Sequence, residues 1–294
     1  MRTEKEMYDL IVGFAQRDER IRAVYMNGSR TNSNAQKDIF QDYDIVYVVT
    51  ETASFINDDK WIKVFGDLLM IQEPEKNDSL VGMKMNFDRS YAYLMLFNDG
   101  NRIDLSLETK EVMLEGYLKD SLTVPLLDKD HILPAISFPS DESYWIKKPS
   151  EAQFMSCCND FWWCLQNVGK GIWRDELPYA KQMFEQVIRG HLDEIVSWWV
   201  GIRYDFQIST GKMGKNFQKY LPEPYWSLYA GTYSNSDYEN FWDSIFIACQ
   251  LFQVLAIETA EELSFSYPIE DATNMTEFLN KVRTLPKDAD KVFK

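Results

Sequence analysis

The sequence predicts an α+β protein, with a mixed-sheet domain over residues 1–145 followed by an α-helical bundle over residues 146–294. Three observations predict it. Short strand-like runs mix with helical ones in the first half, prolines at 125, 134, 139 and 149 punctuate the middle, and long aromatic-rich stretches of helical period fill the remainder. Residues 4–18 place Met7, Leu10, Ile11 and Phe14 on one helix face. Strands are expected at 21–26, 44–50, 68–71, 91–97 and 102–107. Between the last two lies Asn98-Asp99-Gly100-Asn101, a hairpin signal because Asp-Gly supplies the positive backbone angles of a tight turn. The final strand is therefore expected antiparallel to its predecessor. The prolines mark residues 120–149 as a connection between domains, since each removes a backbone donor. Ser150-Glu151-Ala152-Gln153 then reads as a capping box opening a helix to about residue 168. Helical stretches follow at 176–204, with Pro178 tolerable in a first turn, and at 237–265.

With 294 residues, 45% hydrophobic and 15% aromatic, the chain can bury sizeable cores. A formal net charge of −15 argues against a nucleic-acid partner, which needs Lys/Arg density, and suits a cationic small molecule better. Cys157, Cys158, Cys164 and Cys249 sit in apolar helical stretches with no C-x-x-C pair and no neighbouring histidine. They read as buried free thiols in a reducing cytosol rather than as a disulfide framework or a zinc site, and His191 reads as structural. With no basic leader before an apolar run and no ~18-residue uninterrupted apolar segment, the expected location is cytoplasmic, without a membrane partner.

The chemistry-bearing residues lie in the first half. Asp42 and Asp44 open the apolar run Ile45-Val46-Tyr47-Val48-Val49, and side chains two apart on an extended chain point to one face. Asp104, in a strand expected alongside, supplies a third carboxylate. Three such groups suit magnesium, a hard cation that takes a few carboxylates and completes its shell with water and phosphate. Gly28-Ser29-Arg30 follows the first strand, where glycine permits close backbone approach to a phosphate, Ser29 adds a hydroxyl and Arg30 a charge. Each fragment has an ordinary reading: a plain turn, solvated aspartates at a strand end, an Arg102–Asp104 ion pair. Together they describe a site for a nucleoside triphosphate.

Gly28-Ser29-Arg30, Asp42-Tyr43-Asp44 and Arg102-Ile103-Asp104-Leu105 resemble the signature of the nucleotidyltransferase superfamily, the fold of DNA polymerase beta and kanamycin nucleotidyltransferase. Over nearly its whole length the chain is similar to bacterial aminoglycoside 6-adenylyltransferases, which modify streptomycin. That likeness rests also on Tyr25-Met26-Asn27, Ser197-Trp198-Trp199-Val200-Gly201, Ser209-Thr210-Gly211-Lys212 and Asp237-Tyr238-Glu239-Asn240. The resemblance implies a polymerase-beta-like first domain and transfer of AMP from ATP to a streptomycin hydroxyl with release of pyrophosphate. It implies magnesium held by Asp42, Asp44 and Asp104, pyrophosphate steadied by Ser29 and Arg30, and an active site between the domains. A catalytic base is expected from the helical domain. Glu176 is preferred, Asp175 and Asp104 competing, although a first-turn glutamate also complements the helix dipole. Lys212 and Lys215 lie on a glycine-bearing loop that lacks Walker spacing and either reaches the triphosphate or stays solvated. Trp173, Trp198, Trp199 and Trp242 are core residues or walls of an acceptor pocket. Two alternatives remain: a nucleotidyltransferase acting on a protein or RNA, and a catalytically silent nucleotide-binding protein. Oligomeric state is left open.

Overall fold

The computed structural model describes residues 1–58 and 60–293. The chain divides into two compact units, Met1–Ser143 and Tyr144–Lys294.

The first unit opens with α1 (Glu4–Arg17), whose start is fixed by a reciprocal capping box between Thr3 and Glu6 and whose inner face buries Met7, Ile11 and Ala15. Six strands follow: β1 (Ile21–Asn27), β2 (Tyr43–Val49), β3 (Leu68–Gln72), β4 (Ser90–Phe97), β5 (Arg102–Thr109) and β6 (Val124–Asp128). Short helices α2 (Ala53–Ile56), α3 (Pro74–Leu80) and α4 (Lys110–Gly116) connect them. The sheet order is β3-β4-β5-β2-β1-β6. It is mixed because β2 and β5 run parallel while every other pairing is antiparallel.

The sheet separates its two faces by strand alternation. Tyr43, Ile45, Tyr47 and Val49 of β2 join Ile103, Leu105 and Leu107 of β5 in the larger core, over which α1 packs. Val46 and Val48 face the other way, into a smaller cluster with Ala23, Tyr25, Met113 and Tyr117. Asp44, two residues before Val46, and Asp104 share this second face. The β4–β5 turn forms as its Asp-Gly chemistry requires: Gly100 takes φ +83 and donates its N–H to the Phe97 carbonyl at 2.9 Å.

One expectation is corrected. Within residues 120–149, expected as a connection, the chain forms β6, which pairs with β1 and places Pro125 opposite Tyr25. The strand tolerates its proline because it lies at the sheet edge, where one side of the ladder needs no donor.

The second unit is helical. Ser150 and Gln153 cap α5 (Glu151–Trp173) reciprocally, as their spacing predicts. The stretch after it is α6 (Leu177–Gln182), with Pro178 in its first turn, a π-helical turn at Met183–Ile188, and α7 (Arg189–Arg203). Then come α8 (Phe217–Tyr220), α9 (Glu223–Gly231), α10 (Tyr238–Leu263) and α11 (Ile269–Arg283). Asp237 caps α10 by accepting the Asn240 N–H at 3.0 Å. By length and composition α10 is long and apolar enough to cross a membrane, yet twelve of its residues, from Phe241 to Ala260, are buried within the protein. Its Phe252 stacks on Phe161 of α5 with ring centroids 3.7 Å apart. Trp199 and Trp242 are buried in that core, and Trp173 and Trp198 pack against it. All four cysteines are free thiols; Cys157, Cys158 and Cys249 are buried and Cys164 partly so.

Candidate active site

The sheet register brings the carboxylates together. β2 and β5 align so that Asp44 stands opposite Asp104, and on its other side Asp44 stands opposite Asn27, the residue before Gly28. Asp42 lies just ahead of β2. Gly28, Asp42, Asp44 and Asp104 therefore share one end of the central strands through backbone pairing alone.

Gly28 is required there. It takes φ +79 and ψ −158, a region that residues with a Cβ avoid at a cost of about 1–3 kcal/mol, and a Cβ would sit 2.1 Å from the Asp44 Oδ2. The chain turns here into a 3₁₀ segment, Ser29–Thr31, anchored by the Thr31 hydroxyl donating to the Gly28 and Leu122 carbonyls at 2.9 Å each. The Ser29 hydroxyl faces no hydrogen-bond partner among the described residues. Arg30 is otherwise engaged. Its guanidinium donates to the Asp42 carbonyl at 3.0 Å and the Gln41 carbonyl at 2.8 Å, and it lies 3.8 Å over the Tyr43 ring. In this structure Arg30 fixes the segment that carries Asp42.

Arg102 is the counterion of the cluster. It donates to both oxygens of Asp104 at 2.7 and 2.6 Å and reaches Asp42 at 3.3 Å. The ion pair expected for Asp104 alone thus extends to Asp42, because β5 presents Arg102 beside the segment entering β2. The Asp44 carboxylate receives no hydrogen bond among the described residues. Burial first, then the charges of Asp104 and Asp42, push its carboxyl up to about 6. Burial also raises Asp42, against the pull of Arg102. An oxygen-only donor set whose most buried carboxylate lacks a partner is the chemistry that a hard divalent cation satisfies. Asp120, a further negative neighbour of Asp44, carried no signal in the sequence because only folding brings it near.

In the helical unit, Asp175 takes a left-handed backbone, φ +63, and accepts the Tyr238 hydroxyl at 2.8 Å. Glu176 occupies the N-cap position of α6 rather than its first turn. It is exposed, and its carboxylate makes no hydrogen bond or ion pair among the described residues. Lys212 and Lys215 are exposed on a 3₁₀ turn in which Gly211, Met213 and Gly214 all have positive φ, and neither ammonium group has an ion-pair partner among the described residues.

Residues 1–282 match the family model described as streptomycin adenylyltransferase. The chain is 38% identical over 271 residues to an aminoglycoside 6-adenylyltransferase of Campylobacter jejuni, covering 92% of this chain and 93% of that one. It is also 38% identical over 274 residues to the enzyme of that name from Bacillus subtilis strain 168, covering 92% and 95%. A crystal structure of an aminoglycoside 6-adenyltransferase from Bacillus subtilis aligns over 97% of this chain and all of that one, at 31% identity and a TM-score of 0.48. With its Asp-x-Asp pair, its Gly-Ser turn and matches across more than nine-tenths of its length, the chain belongs to the streptomycin adenylyltransferase family, a family of enzymes that transfer an adenylyl group.

Proposed function

We propose that this protein transfers AMP from ATP to the 6-hydroxyl of streptomycin, releasing pyrophosphate and conferring resistance to the drug. The observation that carries this reading is the alignment of Asp44 with Asp104 beside Gly28 in a chain of this family. The acceptor hydroxyl oxygen attacks the α-phosphorus, the bond from that phosphorus to the oxygen bridging the β-phosphate breaks, and the hydroxyl proton passes to a base.

Asp42, Asp44 and Asp104 are the residues that would hold magnesium. When bound, the ion neutralises charge on the triphosphate and on the entering and leaving oxygens. Arg102 would then surrender part of its pairing with Asp42 and Asp104. Gly28 lets the backbone approach the phosphates, and the uncommitted Ser29 hydroxyl hydrogen-bonds them. Lys212 and Lys215 contribute charge toward the triphosphate, a role supported by their lack of other partners. Glu176 takes the hydroxyl proton. Its freedom supports it over Asp175, which Tyr238 holds, and over Asp104, which Arg102 holds on both oxygens. The net charge of −15 favours an acceptor bearing guanidinium groups through charge-assisted hydrogen bonds. Dependence on ATP suits a cytoplasmic setting.

The test is pyrophosphate release from ATP and magnesium with streptomycin, with kanamycin, or with no acceptor. Release only with streptomycin is expected. Release with kanamycin alone would replace the acceptor, and no release with either drug would overturn the reading.

A further inference from the structure

Away from these residues, α5 and α7 bring together three side chains of a different chemistry. Cys157 of α5 and His191 and Glu194 of α7 offer ligand atoms that all lie within 4.8 Å of one another. His191 and Glu194 are three apart on one helix and so share a face, with the imidazole Nδ1 3.2 Å from the Glu194 carboxylate. Cys157, 34 residues earlier, is only 3% exposed, and its thiol points at α7, donating to the His191 carbonyl at 3.5 Å. Glu194 remains half exposed, its side chain 53% accessible, and His191 is 23% accessible. One wall of the cluster is therefore dry and the other open to water. The sequence hid this arrangement, because no histidine stands near Cys157 along the chain.

We propose that Cys157, His191 and Glu194 form a zinc-class metal site, independent of the magnesium carboxylates, in which a transition-metal ion clamps α5 to α7 and keeps one position for water. The donor set carries the argument. A thiolate, an imidazole and a carboxylate together select zinc or a similar borderline ion over magnesium, which prefers oxygen alone. Around a tetrahedral ion, with bonds of about 2.0–2.3 Å, neighbouring ligand atoms stand roughly 3–4 Å apart, so little movement is needed. Three protein ligands with a solvent-open fourth side is a common arrangement around zinc. On binding, the Cys157 S–H bond breaks, a sulfur–metal bond forms, and the proton is released to solvent. The Glu194 carboxylate exchanges its His191 contact for the metal.

Cobalt(II) is the probe, added to the full-length reduced protein, because only a thiolate ligand produces a sulfur-to-cobalt charge-transfer band. The magnesium carboxylates cannot generate that signal. The expected result is one equivalent of cobalt giving the band, zinc displacing it stoichiometrically, and zinc raising the thermal midpoint. Cys157→Ser should abolish the band and Cys164→Ser should leave it intact. Glu194→Gln should weaken cobalt binding roughly tenfold or more, since even outer-shell partners of a metal are worth 10–100-fold. Should Cys157→Ser fold poorly, His191→Ala decides, because that side chain is partly exposed. Absence of the band in the wild type overturns the proposal, as does a band that disappears in Cys164→Ser or survives in a folded Cys157→Ser, or, where Cys157→Ser does not fold, a band that survives undiminished in His191→Ala.

Discussion

Asp44→Asn is expected to abolish turnover while making the metal-free protein more stable, two effects of opposite sign from one atom change. Removing a carboxylate from the proposed magnesium-binding set should cost several kcal/mol of transition-state stabilisation, about a thousandfold or more in kcat/KM. The stability effect follows from the raised Asp44 carboxyl, which moves from 3.8 to about 6 on folding. Between those values the folded chain holds a proton that the unfolded chain has lost. Stability therefore falls as pH rises from about 4 to 6, and the full cost persists above 6. An asparagine escapes that cost. In chelator, the variant should exceed the wild type by about 2–3 kcal/mol at pH 7.5, with the gap closing near pH 4. Millimolar magnesium should raise the wild-type midpoint and leave the variant's unchanged. Denaturant unfolding at the two pH values, with and without magnesium, checks all three. A variant that retains turnover would show that the reaction does not need the Asp44 carboxylate and would leave that group a structural role.

The second large effect is expected at Glu176. General-base catalysis is worth about 10²–10⁴-fold, so Glu176→Gln should lower kcat by that range with little change in KM for ATP or the acceptor. Asp175→Asn is the control. Its carboxylate is held by Tyr238, so its loss should cost local anchoring and leave kcat within about tenfold, short of the base-catalysis range. If the two variants exchange these behaviours, the base is Asp175. If both retain activity, the base is Asp104.

How much of this was legible in the sequence depended on whether a feature is local. The Asp-x-Asp pair entering β2, the Asp-Gly hairpin and the Ser150 capping box are properties of a few consecutive residues, and each appears where its spacing placed it. β6 was missed because Pro125 reads as a strand breaker, and only its edge position makes the proline harmless. Arg102 was legible as a partner for Asp104 two residues away. Its reach to Asp42 depends on the parallel register of β2 and β5, which no short pattern reveals. Arg30 looked available for phosphate, yet its planar guanidinium found two carbonyls and the Tyr43 ring, contacts that exist only once the loop folds back. Cys157 and His191 are the extreme case, joined solely by the packing of α5 on α7.

The measurement that bears most directly on the central claim follows the α-phosphoryl group. ATP radiolabelled at the α-phosphorus is incubated with magnesium, streptomycin and the protein, and the label is tracked by chromatography with mass analysis of the drug. The account predicts label on streptomycin, a mass gain of one adenylyl group, and pyrophosphate in equal amount. Label on the protein itself, or ATP recovered intact, would contradict it.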